Sequence, residues 1–142
     1  MGQWLWQQAE RDLAVARRLL YPGAYYAVAN FAHQGAEKAL KAACWHLRAE
    51  EPPWRHDLVR CDDLVAECTG GLPPEIERAV GQLQPLFEAS RYPSGNANEP
   101  IPADLIGEGD ATASIRSAEG VMEWVQMLLQ QPPGRSQRKT SD

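Results

Sequence analysis

Five polar side chains with useful chemistry lie in one ten-residue stretch, residues 33–42, which reads HQGAEKALKA. The five are His33, Gln34, Glu37, Lys38 and Lys41. On a helix, Gln34, Glu37 and Lys41 fall within about 60° of one another. Such a stripe could bind phosphate through its amines, with Glu37 orienting them, or move a proton through His33. It is also typical of the solvated face of an amphipathic helix, and on spacing alone we favour that interpretation.

The stripe belongs to one of five segments whose apolar residues recur with helical spacing. The predicted helices span residues 4–20, 24–48, 57–69, 74–90 and 110–129. Pro85 should kink the fourth helix or split it near Gln84. Because no segment alternates with a period of two, the sequence predicts an all-α fold, an up-and-down helical bundle of four to five helices.

Two further segments have no helical periodicity. Residues 93–109 form a loop that is long for a compact domain, and such loops are usually functional or disordered. Asp110 is the predicted cap of the helix that follows. We expect one folded domain over residues 1–131 and a disordered polar tail over 132–142.

Composition narrows the classes of function. The chain has 142 residues and a net charge of −5, and its last eleven residues carry +2, so the remaining body carries −7. A body this acidic argues against a broad basic surface that binds the phosphate backbone of a nucleic acid. Any contact with nucleic acid would have to use a local basic pocket. We find no membrane-spanning run and no leader peptide, and the three cysteines form no metal or disulfide pattern. We therefore expect a cytoplasmic protein without cofactor or metal.

One acidic residue falls beside the apolar stripe of the first helix. Asp12 is flanked there by core positions, and a carboxylate so placed needs a partner or a route to water. The sequence offers Arg91 or a lysine as that partner.

Four motifs follow one another along the chain: A-x-x-D-L-x-x-A at 9–16, Y-x-x-A-x-F-x-x-Q-x-A-E-K-A-L-K-A at 26–42, H-D-L at 56–58 and R-Y-P at 91–93. In this order they resemble the HEPN domain family of prokaryotes over residues 9–125. The resemblance implies a helical bundle, usually a homodimer, often encoded beside a minimal nucleotidyltransferase. It also implies nucleotide binding, and many members are metal-independent ribonucleases, including toxins of toxin–antitoxin pairs.

The family's ribonuclease motif places an arginine a few residues before a histidine, and this chain has no arginine five to seven positions before any histidine. The resemblance is closer to the R-Y-P branch, whose members often lack that motif. We therefore expect a non-catalytic or weakly active module that binds nucleotide or RNA phosphate beside a nucleotidyltransferase partner. The candidate ligand-binding residues are Arg91, Tyr92, Lys38, Lys41, Glu37, Gln34, Asn96 and Asn98.

Two alternatives stay open. A ribonuclease could use His33 or His56 with Arg91 in a rearranged geometry, although His56 also suits a helix start and Arg91 suits a helix end. A structural protein-interaction partner would need none of these residues. The high tryptophan count favours packing against a partner, because aromatic side chains are enriched in interfaces.

Overall fold

A computed structural model describes residues 2–49, 58–91, 98 and 100–134. These residues form helices and no strand, which confirms the all-α bundle. The helices are α1 (Gly2–Leu20), α2 (Tyr25–Arg48), α3 (Leu58–Thr69), α4 (Pro74–Arg91), α5 (Pro102–Leu105) and α6 (Glu108–Leu129). No helix in these ranges is long and apolar enough to cross a membrane.

The helix predictions need three corrections. The single turn α5 lies in the segment predicted to be a loop, where Pro102 occupies the first turn that a proline favours. α6 begins at Glu108, before the predicted cap Asp110. Asp110 is the third residue of the helix, and its carboxylate accepts a hydrogen bond from the Gly107 N–H at 3.1 Å. Of the two outcomes predicted for Pro85, a kink or a split, the split does not occur, because α4 is one helix through that residue.

α2 is the central helix and contacts each of the other five helices. Its alanines at positions 32, 36 and 39 have no exposed surface. α1 packs closely against α2 at Gly35, where an added Cβ would lie 3.2 Å from the Ala9 carbonyl oxygen. The small side chains therefore permit a close crossing.

α6 runs in the same direction as α2. The imidazole of His46, near the end of α2, donates a hydrogen bond from Nε2 to the carbonyl oxygen of Gln131 at 2.7 Å. Gln131 follows the end of α6 by two residues. The carboxyl ends of both helices therefore lie at the same end of the bundle.

α4 runs opposite to both. Pro73, which precedes α4, lines a cavity together with Trp124 and Leu128 from the last turns of α6. The start of α4 is therefore at the end of α6, and its last residue, Arg91, lies toward the amino-terminal half of α2.

Candidate functional site

Three residues of the polar stripe are inside the bundle. His33 has no exposed surface, and Glu37 and Lys41 are 2% and 4% exposed. The solvated-face interpretation is therefore wrong for this part of α2. The prediction failed because neighbouring helices cover α2 on nearly every side, and helical periodicity alone does not reveal which faces are covered. We call His33, Glu37 and Lys41 the buried ladder, since they are spaced four residues apart on one helix face.

The ladder is internally bonded. Lys41 Nζ donates to Glu37 Oε1 at 2.9 Å, and the other carboxylate oxygen of Glu37 lies 3.9 Å from His33 Nδ1. A buried ion pair needs close bonding of this kind to offset the loss of hydration. The ladder thus places a negative charge between an amine and an imidazole in the interior.

The ladder is joined to α4 at two residues. His33 Nε2 and Gln84 Oε1 lie 2.9 Å apart, and the His33 ring stacks on Phe87 with ring centroids 3.8 Å apart. Because the Gln84 amide nitrogen donates to Glu88 at 3.1 Å, its oxygen is the acceptor and His33 carries a proton on Nε2. These contacts fix the second half of α4 against the centre of α2.

A second row of α2, Asn30, Gln34 and Lys38, is only half-buried, and we call it the open strip. Gln34 Nε2 donates to Asn30 Oδ1 at 2.6 Å. Lys38 Nζ lies 2.5 Å from a carboxylate oxygen of Asp12, which is 4% exposed. The expected partner of Asp12 is therefore a lysine, Lys38, and its charge is neutralised across the α1–α2 contact.

The position of Arg91 relative to the ladder follows from the helix directions. Arg91 lies four residues after Phe87, which is about 6 Å farther along α4. Lys41 lies about 12 Å from His33 in the opposite direction along α2. The backbones of Lys41 and Arg91 are therefore separated by about 18 Å along the bundle axis, and the amine of Lys41 is enclosed.

The predicted ligand-binding residues consequently divide into groups. Gln34 and Lys38 lie on the open strip, whereas Glu37 and Lys41 lie inside. Asn98 is exposed. The predictions for Tyr92, Asn96, His56 and the side chain of Arg91 fall outside the described residues.

Sequence reasoning missed the two residues of α4 that hold the ladder. Gln84 was named from the sequence only as the residue before Pro85, and Phe87 was not singled out. A polar residue one turn before a core aromatic was the available signal, because the two share a helix face.

It also missed Asp62 on α3. Burial, together with the nearby charges of Asp63 and Glu77, raises the pKa of the Asp62 carboxyl to about 6. Its Oδ1 is buried and has no hydrogen-bond partner among the described residues. Nothing in the spacing of α3 distinguishes Asp62 from a solvated aspartate.

Within the described ranges, no group of three histidine, cysteine or carboxylate side chains is arranged to hold a metal. A cavity of about 800 Å³ lies between α4 and α6 and includes Arg78, Gln82, Arg116 and Trp124 in its lining. None of the predicted ligand-binding residues that the structure describes lines that cavity.

Comparison with known proteins gave one family and two structural relatives. The family model described as the HEPN domain matches residues 3–128. The protein TT1696 from Thermus thermophilus is 25% identical, with a TM-score of 0.76, over 90% of this chain and 98% of that one. The archaeal HEPN homologue ST0689 is 25% identical, with a TM-score of 0.72, over 92% and 98%. No curated protein matches the chain.

Proposed function

Because the chain belongs to the HEPN domain family, we propose that it is a module that binds the phosphate groups of a nucleotide or of RNA and acts with a minimal nucleotidyltransferase. Arg91, at the end of α4, is the proposed phosphate ligand, with Tyr92 beside it. An arginine can contact a phosphate through two parallel N–H groups, which fixes the ligand as well as attracting it.

The observation that supports this proposal is the attachment of α4 to the buried ladder. His33 bonds to Gln84 and stacks on Phe87, so the last turns of α4 rest on a rigid support. A binding residue at the end of a rigid element needs less ordering when its ligand arrives. In this account Glu37 and Lys41 act as positioning residues, and Gln34, Lys38, Asn96 and Asn98 are candidates for contacts with the rest of the ligand.

We do not propose catalysis through His33. A general acid or base must come within hydrogen-bond reach of the reacting atom. His33 has no exposed surface, and its Nε2 proton is already donated to Gln84. The ribonuclease alternative would therefore depend on His56, and loss of RNA cleavage in His56→Ala would be its signature.

A second copy of the chain and the nucleotidyltransferase are the proposed partners. Large apolar side chains are exposed on the described surface, including Trp4 at 57% and Met127 at 64%. Exposed aromatic and methionine side chains are enriched where proteins associate. Sedimentation equilibrium should give twice the 15.8 kDa of one chain, and a monomer at all concentrations would remove the homodimer.

The test of phosphate binding is isothermal titration of the full chain with ATP. Arg91→Gln should weaken binding about tenfold or more, as expected for loss of a charged hydrogen bond of about 1.5–3 kcal/mol. Arg116→Gln is the matched control, because Arg116 is an exposed arginine on α6. Equal affinities for Arg91→Gln and the control would reject Arg91 as the ligand.

A different outcome would favour the structural alternative. If ATP and short RNA both fail to bind, while the full chain forms a complex of fixed stoichiometry with the nucleotidyltransferase encoded nearest to it, the chain serves as a structural partner.

A further inference from the structure

An acidic groove lies between α1 and α6, in a part of the surface that the proposed function does not use. It has a volume of about 220 Å³, and its charged lining is Glu10, Arg17, Glu119 and Glu123. Arg17 lies 3.7 Å from Glu119. One guanidinium against three carboxylates leaves the groove with a net charge of −2.

The groove continues into an apolar pocket at the end of the bundle. Trp6 lines both, and the pocket, of about 330 Å³, is also lined by Trp45, His46 and Leu129. Trp6 is half-buried, so part of its indole is accessible where the groove and the pocket meet. An indole face beside carboxylates is a favourable place for a guanidinium.

The chain itself passes beside this pocket. After α6, the carbonyl oxygen of Gln131 accepts from His46 at 2.7 Å, and the Gly134 N–H donates to the His46 carbonyl oxygen at 2.8 Å. Gly134, the last residue that the structure describes, therefore lies next to His46, which lines the pocket.

The eight residues that follow have the complementary charge. Residues 135–142 read RSQRKTSD and carry three basic side chains and one acidic side chain, a net charge of +2. Five extended residues span up to about 18 Å. Glu10 lies only about 6 Å beyond Trp6 along α1, so this segment is long enough to reach the carboxylates.

We propose that residues 135–142 bind in the α1–α6 groove of their own chain. An arginine, Arg135 or Arg138, lies against the Trp6 indole, and the remaining cations pair with Glu10 and Glu123. Because the segment is tethered next to the groove, its effective concentration there is in the millimolar range, so weak contacts suffice. The contacts are largely electrostatic and weaken with salt.

Paramagnetic relaxation enhancement on the full chain tests this proposal. A nitroxide is attached to Ser136→Cys in a Cys68→Ser background, since Cys68 is the exposed native cysteine. At low salt, the amide signals of residues 6–13 and 119–126 should broaden strongly. The combined substitution Glu10→Gln and Glu123→Gln should reduce that broadening about fivefold, and about 0.5 M salt should have a similar effect.

Glu67→Gln and Glu77→Gln form the matched control, because both are carboxylates of α3 and α4 outside the groove, and they should leave the broadening unchanged. Broadening centred on α3 or α4, or uniform weak broadening, would overturn the proposal. A mixed sample serves as a second check: one copy carries the nitroxide but no isotope, and the other carries the isotope but no nitroxide. Broadening that persists in this mixture would also overturn the proposal, because the segment would then bind a second molecule.

Discussion

At the level of single residues, the fold depends on charges that are enclosed and not solvated. Glu37 is surrounded by Lys41 and His33, and Asp12 is paired with Lys38. The sequence predicted that Asp12 would need a partner and that Glu37 could orient the amines of the stripe. It could not predict their burial, because periodicity identifies which residues share a face and not which faces other helices cover.

Removing one member of the buried pair should be costly. Lys41→Met leaves the Glu37 carboxylate enclosed without its amine, and we expect the free energy of unfolding to fall by about 3 kcal/mol or more. Glu37→Gln combined with Lys41→Met should recover part of that loss. Urea unfolding measures both, with Arg17→Met as the comparison at an exposed ion pair, at about 0.5 kcal/mol. A cost for Lys41→Met no larger than that of Arg17→Met would contradict the role of the ladder.

Asp62 should make stability depend on pH. Its pKa is raised from 3.8 to about 6 in the folded chain, so folding favours the protonated form. Stability is therefore highest when Asp62 is protonated in both states and falls as pH rises from about 4 through 6. Because Asp62 is partly exposed, solvent screening reduces the effect, and we expect Asp62→Asn to be more stable by about 1 kcal/mol at pH 7. Thermal unfolding from about pH 4 to 8 measures it, and equal curves for the two proteins would refute the shift.

At the level of helices, the sequence predicted the four long helices before residue 92 and the last helix to within a few residues. These helices were predictable because their apolar residues recur with helical spacing and because Pro or Gly residues mark where they end. It missed α5, because one helical turn is too short to establish a period. Of its two alternatives for Pro85, a kinked or a split helix, the split does not occur, because α4 packs on α2 and α6 along its length.

The α1–α2 crossing depends on Gly35. A Cβ there would lie 3.2 Å from the Ala9 carbonyl oxygen, which is backbone and cannot easily move. We expect Gly35→Ala to destabilise the protein by about 1–2 kcal/mol through overpacking. Gly81→Ala in α4 is the control, because nothing lies within 4 Å of the added methyl group, and it should stabilise by about 0.5–1 kcal/mol. Chemical denaturation that shows the same sign for both substitutions would argue against a close crossing.

At the level of the whole molecule, helix direction decides which residues can share a site. α4 runs opposite to α2, and its end lies about 18 Å along the axis from Lys41. Sequence reasoning grouped Arg91 with Lys38 and Lys41 as ligand-binding residues, because a linear motif gives the order of residues and not the direction of helix packing. The directions follow from contacts such as His46 with Gln131, which link residues distant in the chain.

We propose that the module binds phosphate groups and that Arg91 holds them. The most direct measurement compares the dissociation constants of ATP, AMP and adenosine for the full chain at one ionic strength. We expect affinity to fall with each loss of phosphate, and ATP binding to weaken only modestly with salt because few phosphate charges are contacted. Adenosine binding as tightly as ATP, or no binding of any of the three, would contradict the account.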